Sequence, residues 1–280
     1  MAGAAAEQRD YWNGPGARRW AGGYAAAEAV FAPIAERLYA HARPAAGEML
    51  VDVGCGCGGT TLELARRVAP GGRVLGLDIA ATMIAEARRR KAEGDVEFVV
   101  ADATSYALPP GSIDLLFSRF GVMFFADPVA AFANLRSGLK RGGRAVFACW
   151  REAKRNPWQT IALRAACKHV PRLPESGADD PGPFAFADAE RVERILIAAG
   201  FADVALTPVD LELDLANGAG LEAAVEIAQH IGAASRALEG QPAAACAAAI
   251  AEIRAAFAPY LRGDRVPLGA ALWIVEAVKT

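Results

Sequence analysis

Over its first 150 residues the chain alternates short apolar runs with amphipathic stretches. Residues 48–53, 73–77, 96–100, 113–117 and 144–149 are apolar runs of strand length, bounded by turn residues, and read as five buried strands. Between them, residues 60–68, 80–93 and 128–139 carry apolar side chains at helical spacing, with Leu62, Leu64 and Val68 turned inward in the first. Such alternation predicts a parallel sheet joined by right-handed helical crossovers. Ahead of it, residues 24–43 place Val30, Phe31, Ile34, Leu38 and Tyr39 at helical spacing until Pro44 stops the helix. After Trp150 the pattern changes. A helix over 158–169 is followed by a Pro- and Gly-rich loop or lid over 171–183 and a helix over 188–199 closed by Gly200. A strand over 204–213, helices over 221–238 and 243–258, and a strand over 270–278 complete the chain. The two late strands predict an antiparallel edge hairpin with an inserted helical pair. Three parts are expected: an N-terminal helical segment (1–46), a core (47–150) and a C-terminal part (151–280) that finishes the sheet and carries a helical cap.

Composition narrows the partners more than the fold. The net charge of −2 over 280 residues provides no electrostatic footprint for a polyphosphate backbone, so a small-molecule acceptor is expected rather than a nucleic acid. No apolar stretch is long enough to span a bilayer and the N-terminus lacks a leader pattern, so a cytoplasmic monomer or homodimer is expected. Five cysteines form no even framework. Cys55 and Cys57 resemble half of a metal site, but no second Cys or His pair accompanies them, and no metal is expected.

The chemistry is concentrated after the first strand, in Val51-Asp52-Val53-Gly54-Cys55-Gly56-Cys57-Gly58-Gly59. Glycines at alternate positions let a backbone approach a ligand and turn into a helix whose first amides attract an anion. Gly54, Gly56 and Gly59 satisfy the dinucleotide pattern GxGxxG, while Gly54, Gly56 and Gly58 satisfy GxGxG, so the glycines alone leave two cofactors level. Asp52 favours the second, because a carboxylate beside the loop repels a pyrophosphate and attracts an ammonium. Asp78, at the end of the second strand, suits ribose hydroxyls, and Asp102-Ala103, at the end of the third, suits an adenine amine. Three carboxylates on one rim point to a cationic cofactor.

With these residues in place the chain resembles a class I S-adenosylmethionine-dependent methyltransferase, of the bacterial group related to the quinone-biosynthesis methyltransferases. The segments that carry the likeness are VDVGCGCGG, GLDIA, ADA, DLLFSRFGVMFFADP and LKRGGRAVFACW, within residues 48–149. The resemblance implies a Rossmann-like α/β fold, a seven-stranded mostly parallel sheet whose last strand is antiparallel, with N-terminal helices and an inserted helical cap. It implies S-adenosyl-L-methionine as methyl donor and S-adenosyl-L-homocysteine as product. The cofactor-binding set expected is Asp52, Gly54, Cys55, Gly56, Asp78, Ile79, Met83, Asp102, Ala103, Ser118, Arg119 and Phe120, with Tyr11, Trp12 and Trp20 closing over it from the N-terminal segment. Two other readings stay open: a nicotinamide oxidoreductase, and a protein that binds adenosylmethionine or adenosylhomocysteine without turnover.

A sulfonium cofactor carries its own leaving group, so the protein's task is to align the acceptor O, N or C atom and exclude water, and a general base is optional. His230 is the candidate to face the acceptor, against the alternative of a surface histidine; His41 and His169 read as helix-terminal cations. Arg119 follows the fourth strand, where it steadies a carboxylate of cofactor or acceptor, or pairs with Asp127 or another acid. Phe120, Met123, Phe124 and Phe125 wall an apolar acceptor pocket or simply fill the core. The segment after the fourth strand lacks the Asn/Asp-Pro-Pro-aromatic and Pro-Cys signatures of base-modifying chemistry, which again points to a small metabolite.

Overall fold

Strands buried on both faces lose the polar alternation of half-exposed ones, and the computed structural model of the chain follows that rule from centre to edge. It describes residues 10–90, 94–174, 177 and 180–280. The strands are β1 (Met49–Val53), β2 (Arg73–Asp78), β3 (Val96–Val100), β4 (Ile113–Arg119), β5 (Leu139–Trp150), β6 (Ala202–Asp214) and β7 (Pro267–Val278). They form one sheet in the order β3-β2-β1-β4-β5-β7-β6. β1 and β4, in the middle, are buried nearly throughout, while β3 and β6, at the edges, alternate. Strands β1 to β5 pair in parallel, and β7 runs antiparallel to both β5 and β6. The sheet is therefore seven-stranded and mostly parallel, as expected, and its antiparallel last strand lies inside the edge pair rather than at the rim.

The helices are α1 (Pro15–Gly22), α2 (Tyr24–Ala42), α3 (Gly59–Val68), α4 (Ala81–Arg90), α5 (Pro128–Gly138), α6 (Pro157–Ala166), α7 (Ala189–Ala198), α8 (Gly220–His230), α9 (Gly232–Ala237) and α10 (Ala243–Phe257). Local chemistry sets several ends. Pro128 opens α5 and the Asp127 carboxylate accepts from the Ala130 amide at 3.0 Å; Asp188 caps α7 on the Glu190 amide. The end of the expected 80–93 helix, residues 91–93, lies outside the described residues, as do residues 1–9 and residues 175, 176, 178 and 179 of the 171–183 stretch.

One expected element divides in two. The helix expected over 221–238 is two helices, because Ile231 is extended and Gly232 takes φ +77° against the Trp158 ring, so three helices separate β6 from β7. The short helix α1 had no counterpart in the pattern; Pro15 starts it and Gly23 turns it into α2. Helix α2 packs across β4, β5, β6 and β7, and its Val30, Phe31, Ile34 and Leu38 join the same apolar cluster as the strands. At the carboxyl edge, Gly54 and Cys55 amides both donate to Leu77 carbonyl, at 2.8 and 3.1 Å, and carry the β1–β2 pairing into the glycine loop.

Candidate functional site

In a parallel sheet every strand ends at the same edge, so residues far apart in sequence are gathered there without further instruction. A cavity of about 1290 Å³ opens along that edge. Its floor is Val53 to Cys57, Asp78-Ile79 with Met83, and Ala101 to Thr104. One wall is Tyr11, Trp12, Trp20, Tyr24, Glu28 and Phe31 from the N-terminal segment, and Arg119 to Gly121 close that end. The opposite wall comes from Trp150, Trp158, Gln159, Leu163 and the segment after α6, with Gly232, Ala233 and Arg236 above.

The glycine loop is shaped by close backbone packing. Gly54 has φ +69°, and a β carbon there would stand 2.7 Å from the Gly121 α carbon; one on Gly121 would stand 2.5 Å from the Val53 carbonyl oxygen. Ser118 locks the contact from below: its hydroxyl donates to Val53 carbonyl at 2.7 Å and accepts from the Gly121 amide at 3.1 Å. It is buried and does not line the cavity. Phe120, between them, is held at φ +68°, a strained conformation for a bulky residue, and its ring stacks on Trp150 at 4.0 Å and 11°.

Asp78 Oδ2 accepts from the Gly56 amide and Oδ1 from the Ala80 amide, both at 2.8 Å, which aims the carboxylate at the cavity with a lone pair to spare on each oxygen. Burial raises its pKa against those amides. Asp102 folds one oxygen onto the Thr104 amide and hydroxyl at 2.9 and 2.6 Å, and Asn134 holds the same turn through the Ala103 and Tyr106 carbonyls.

Asp52 lies elsewhere. It is wholly buried beneath the loop and does not line the cavity; Oδ2 accepts the Thr60 and Thr61 hydroxyls at 2.7 Å each, and Oδ1 has no partner. Burial pushes its pKa up to about 6, against the two hydroxyls and Arg119, with Asp78 adding to the rise. From this position the carboxylate faces the first turn of α3 rather than the cavity, where the contact with an ammonium was expected.

Arg119 lines the cavity and pairs with Glu28, on α2, not with Asp127, which caps α5. Burial alone would lower the Arg119 pKa, but the Glu28 carboxylate holds it above its ordinary value. Its Nη1 is sealed without an acceptor. Glu28 also covers the start of α3: a β carbon on Gly59 would stand 2.4 Å from Glu28 Oε2 and 2.2 Å from Tyr24 Oη. A carboxylate already occupies the helix N-terminus where a dinucleotide pyrophosphate would sit. Gly59, which completes the dinucleotide pattern, is small here because α2 lies on it.

The N-terminal aromatics do reach the cavity, tied by residues the pattern did not single out. Asn13 donates to Ile79 carbonyl at 3.0 Å and accepts from the Ala81 amide at 3.2 Å. Arg19 pairs with Glu239 at 2.7 Å, and Arg236 lies over the Tyr11 ring at 5.1 Å. His230 does not reach the cavity. It ends α8 on the α1–α2 junction, where a β carbon on Gly23 would stand 2.5 Å from its own, and its Nδ1 is sealed without a partner. Among the described residues no histidine lines the cavity and no His, Cys, Asp and Glu grouping could hold a metal. None of their helices is long and apolar enough to cross a membrane.

Residues 50–143 match the family model described as a methyltransferase domain. Nocamycin O-methyltransferase of Saccharothrix syringae is 34% identical over 200 residues, which cover 65% of this chain and 69% of that protein. The chain belongs to the S-adenosylmethionine-dependent methyltransferases. Aklanonic acid methyltransferase DauC of Streptomyces sp. (strain C5) is 37% identical over 120 residues, so the alignment spans 42% of this methyltransferase and 54% of that one. Among solved structures, phosphoethanolamine N-methyltransferase 2 of Haemonchus contortus, in complex with S-adenosyl-L-methionine, superposes with TM-score 0.60 at 19% identity, over 97% of this chain and 60% of that one. The [4+2]-cyclase SpnF superposes with TM-score 0.53 at 19% identity, over 89% and 81%. Those likenesses show the fold, and the cyclase among them shows that the fold alone does not name a reaction. S-adenosylmethionine is the methyl donor of that family of methyltransferases.

Proposed function

We propose that this methyltransferase transfers a methyl group to a small, largely apolar molecule seated between the Phe120–Trp150 stack and α6, with the cofactor along the carboxyl edge of the sheet. The observation that carries the reading is the size and lining of the cavity. At about 1290 Å³ it exceeds the roughly 300–1,000 Å³ of a site for one ligand, and its polar and aromatic ends divide between two.

The residues present fit the cofactor. Asp78 keeps lone pairs for two ribose hydroxyls, the free oxygen of Asp102 beside Ala103 suits the adenine amine, and Ile79 and Met83 flank the ring. Gly54, Cys55 and Gly56 present backbone to the aminoacyl end, and Arg119, which lines the cavity, is the cation for its carboxylate. Tyr11, Trp12 and Trp20 exclude water from above, and Phe120 bounds the methyl-bearing end. Asp52 and Ser118 act as positioning residues for the loop, and no catalytic role is assigned to His230. Bound adenosylmethionine supplies an electrophilic methyl on a sulfonium leaving group; the chain's part is alignment and desolvation. The relatives, an O-methyltransferase and the methyltransferase of an acid, support a small-molecule acceptor.

Calorimetry with adenosylhomocysteine tests the site. Asp78→Asn removes a charge-assisted pair and should cost about 2 kcal/mol, roughly 30-fold in affinity. Unchanged affinity would remove Asp78 from the site, and NAD binding in its place would overturn the cofactor.

A further inference from the structure

The cavity walls divide by charge. At the glycine-loop end stand Asp78, Asp102 and Glu28, with Arg119 the cation among them. On the α6 side the sign reverses, to Arg164, Lys168 and Arg172. Lys168 is matched by Glu252, outside the cavity. Among the described residues Asp180 is the acid of that side; it keeps its charge and accepts from the Gly177 amide through one oxygen at 2.7 Å. Arg164 bonds only the Thr160 carbonyl, at 3.3 Å, and among the described residues neither Arg164 nor Arg172 has a carboxylate partner.

Gln159 adds a second and independent observation. It is 4% exposed, lines the cavity one helical turn before Leu163, and its side-chain amide makes no hydrogen bond among the described residues. Buried amides are ordinarily partnered, so one left open on a cavity wall is a place for a ligand's polar atom. Around it the wall is aromatic: Phe31 meets Trp158 edge-on at 5.4 Å, and Trp158 leans on Trp150 at 5.1 Å. Among the described residues the wall thus combines a flat apolar slot, one open amide and two guanidiniums without a carboxylate partner.

Resting on the reading that this cavity takes the acceptor, we propose that the acceptor is a carboxylate on a flat apolar frame, its anion held by Gln159, Arg164 and Arg172. Guanidiniums pair with carboxylates through two parallel hydrogen bonds, and an aromatic slot orients the frame behind them. An acid ionised at neutral pH also makes no demand for a general base. That suits walls without a histidine, on which burial pushes the Cys57 thiol up to about 12.

The test uses the full chain loaded with adenosylhomocysteine, titrated calorimetrically with 2-naphthoate and with its neutral match, 2-naphthamide. The acid should bind at least about tenfold more tightly. In the double variant R164Q/R172Q, both at exposed positions, the preference should shrink to about twofold while adenosylhomocysteine affinity holds. Equal binding of acid and amide overturns the proposal. So does a preference that survives in the double variant, and so does absence of acid binding to the loaded protein. Failure of adenosylhomocysteine to bind shows at the loading step and counts against the cofactor site instead.

Discussion

Alanine at Gly121 isolates the contact that seats the glycine loop. Gly121 has φ −80° and ψ −36°, open to any residue, so the substitution adds bulk without backbone strain. Its β carbon would lie 2.5 Å from Val53 carbonyl oxygen, 2.8 Å from Gly54 α carbon and 3.0 Å from Ser118 Oγ. Two of these atoms are backbone and cannot swing aside as a rotamer. The Ser118 hydroxyl is already committed to both sides of the gap. Gly54 must therefore retreat by several tenths of an ångström, carrying Cys55 and Gly56 with it. Overpacking of this kind costs about 1–3 kcal/mol. If the cost falls on the ligand-binding arrangement, with tenfold for each 1.4 kcal/mol, adenosylhomocysteine affinity drops by about 5- to 150-fold. Calorimetry on Gly121→Ala measures it, with Gly22→Ala as control. There the new carbon meets only the His230 ring, at 4.0 Å, and stability should hold or rise by up to about 1 kcal/mol. An affinity within about twofold of wild type, with the thermal midpoint unmoved, would refute the claim that Gly121 shapes the site.

Two further outcomes follow from buried charge. Asp52 has a folded pKa of about 6, above its ordinary value of 3.8, so between these pH values the folded chain keeps a proton the unfolded chain releases. This group's contribution to stability is thus fully present below about pH 4 and is lost as pH rises through 6. Asp52→Asn should abolish that loss, worth on the order of 2–3 kcal/mol, and urea titrations at pH 4.5 and 7.5 that show the same difference in both proteins would refute it. Glu28→Gln should destabilise by about 1–3 kcal/mol, below the range for a fully buried pair because the Glu28 side chain is 28% exposed. Adding Arg119→Leu should recover part of the loss, and a double variant no more stable than Glu28→Gln would argue that the pair contributes packing rather than charge.

The sequence by itself determined the layered α/β order and which strand ends carry chemistry. Periodicity is a local property, and parallel register sends every strand end to one edge, so Gly54, Gly56, Asp78, Asp102 and Arg119 had to meet there. Tertiary structure decided which of these side chains face the cavity and what they meet. Asp52 turns under the loop because Thr60 and Thr61, a turn away in α3, capture it. Arg119 finds Glu28 across 91 positions, Gly59 is small because α2 lies over it, and His230 settles on Gly23. None of these pairings leaves a periodic trace, since each joins elements whose relative placement is set by the whole apolar core. The single open amide of Gln159 is legible only once its neighbours are in place, because being unpartnered is a property of a surrounding, not of a residue.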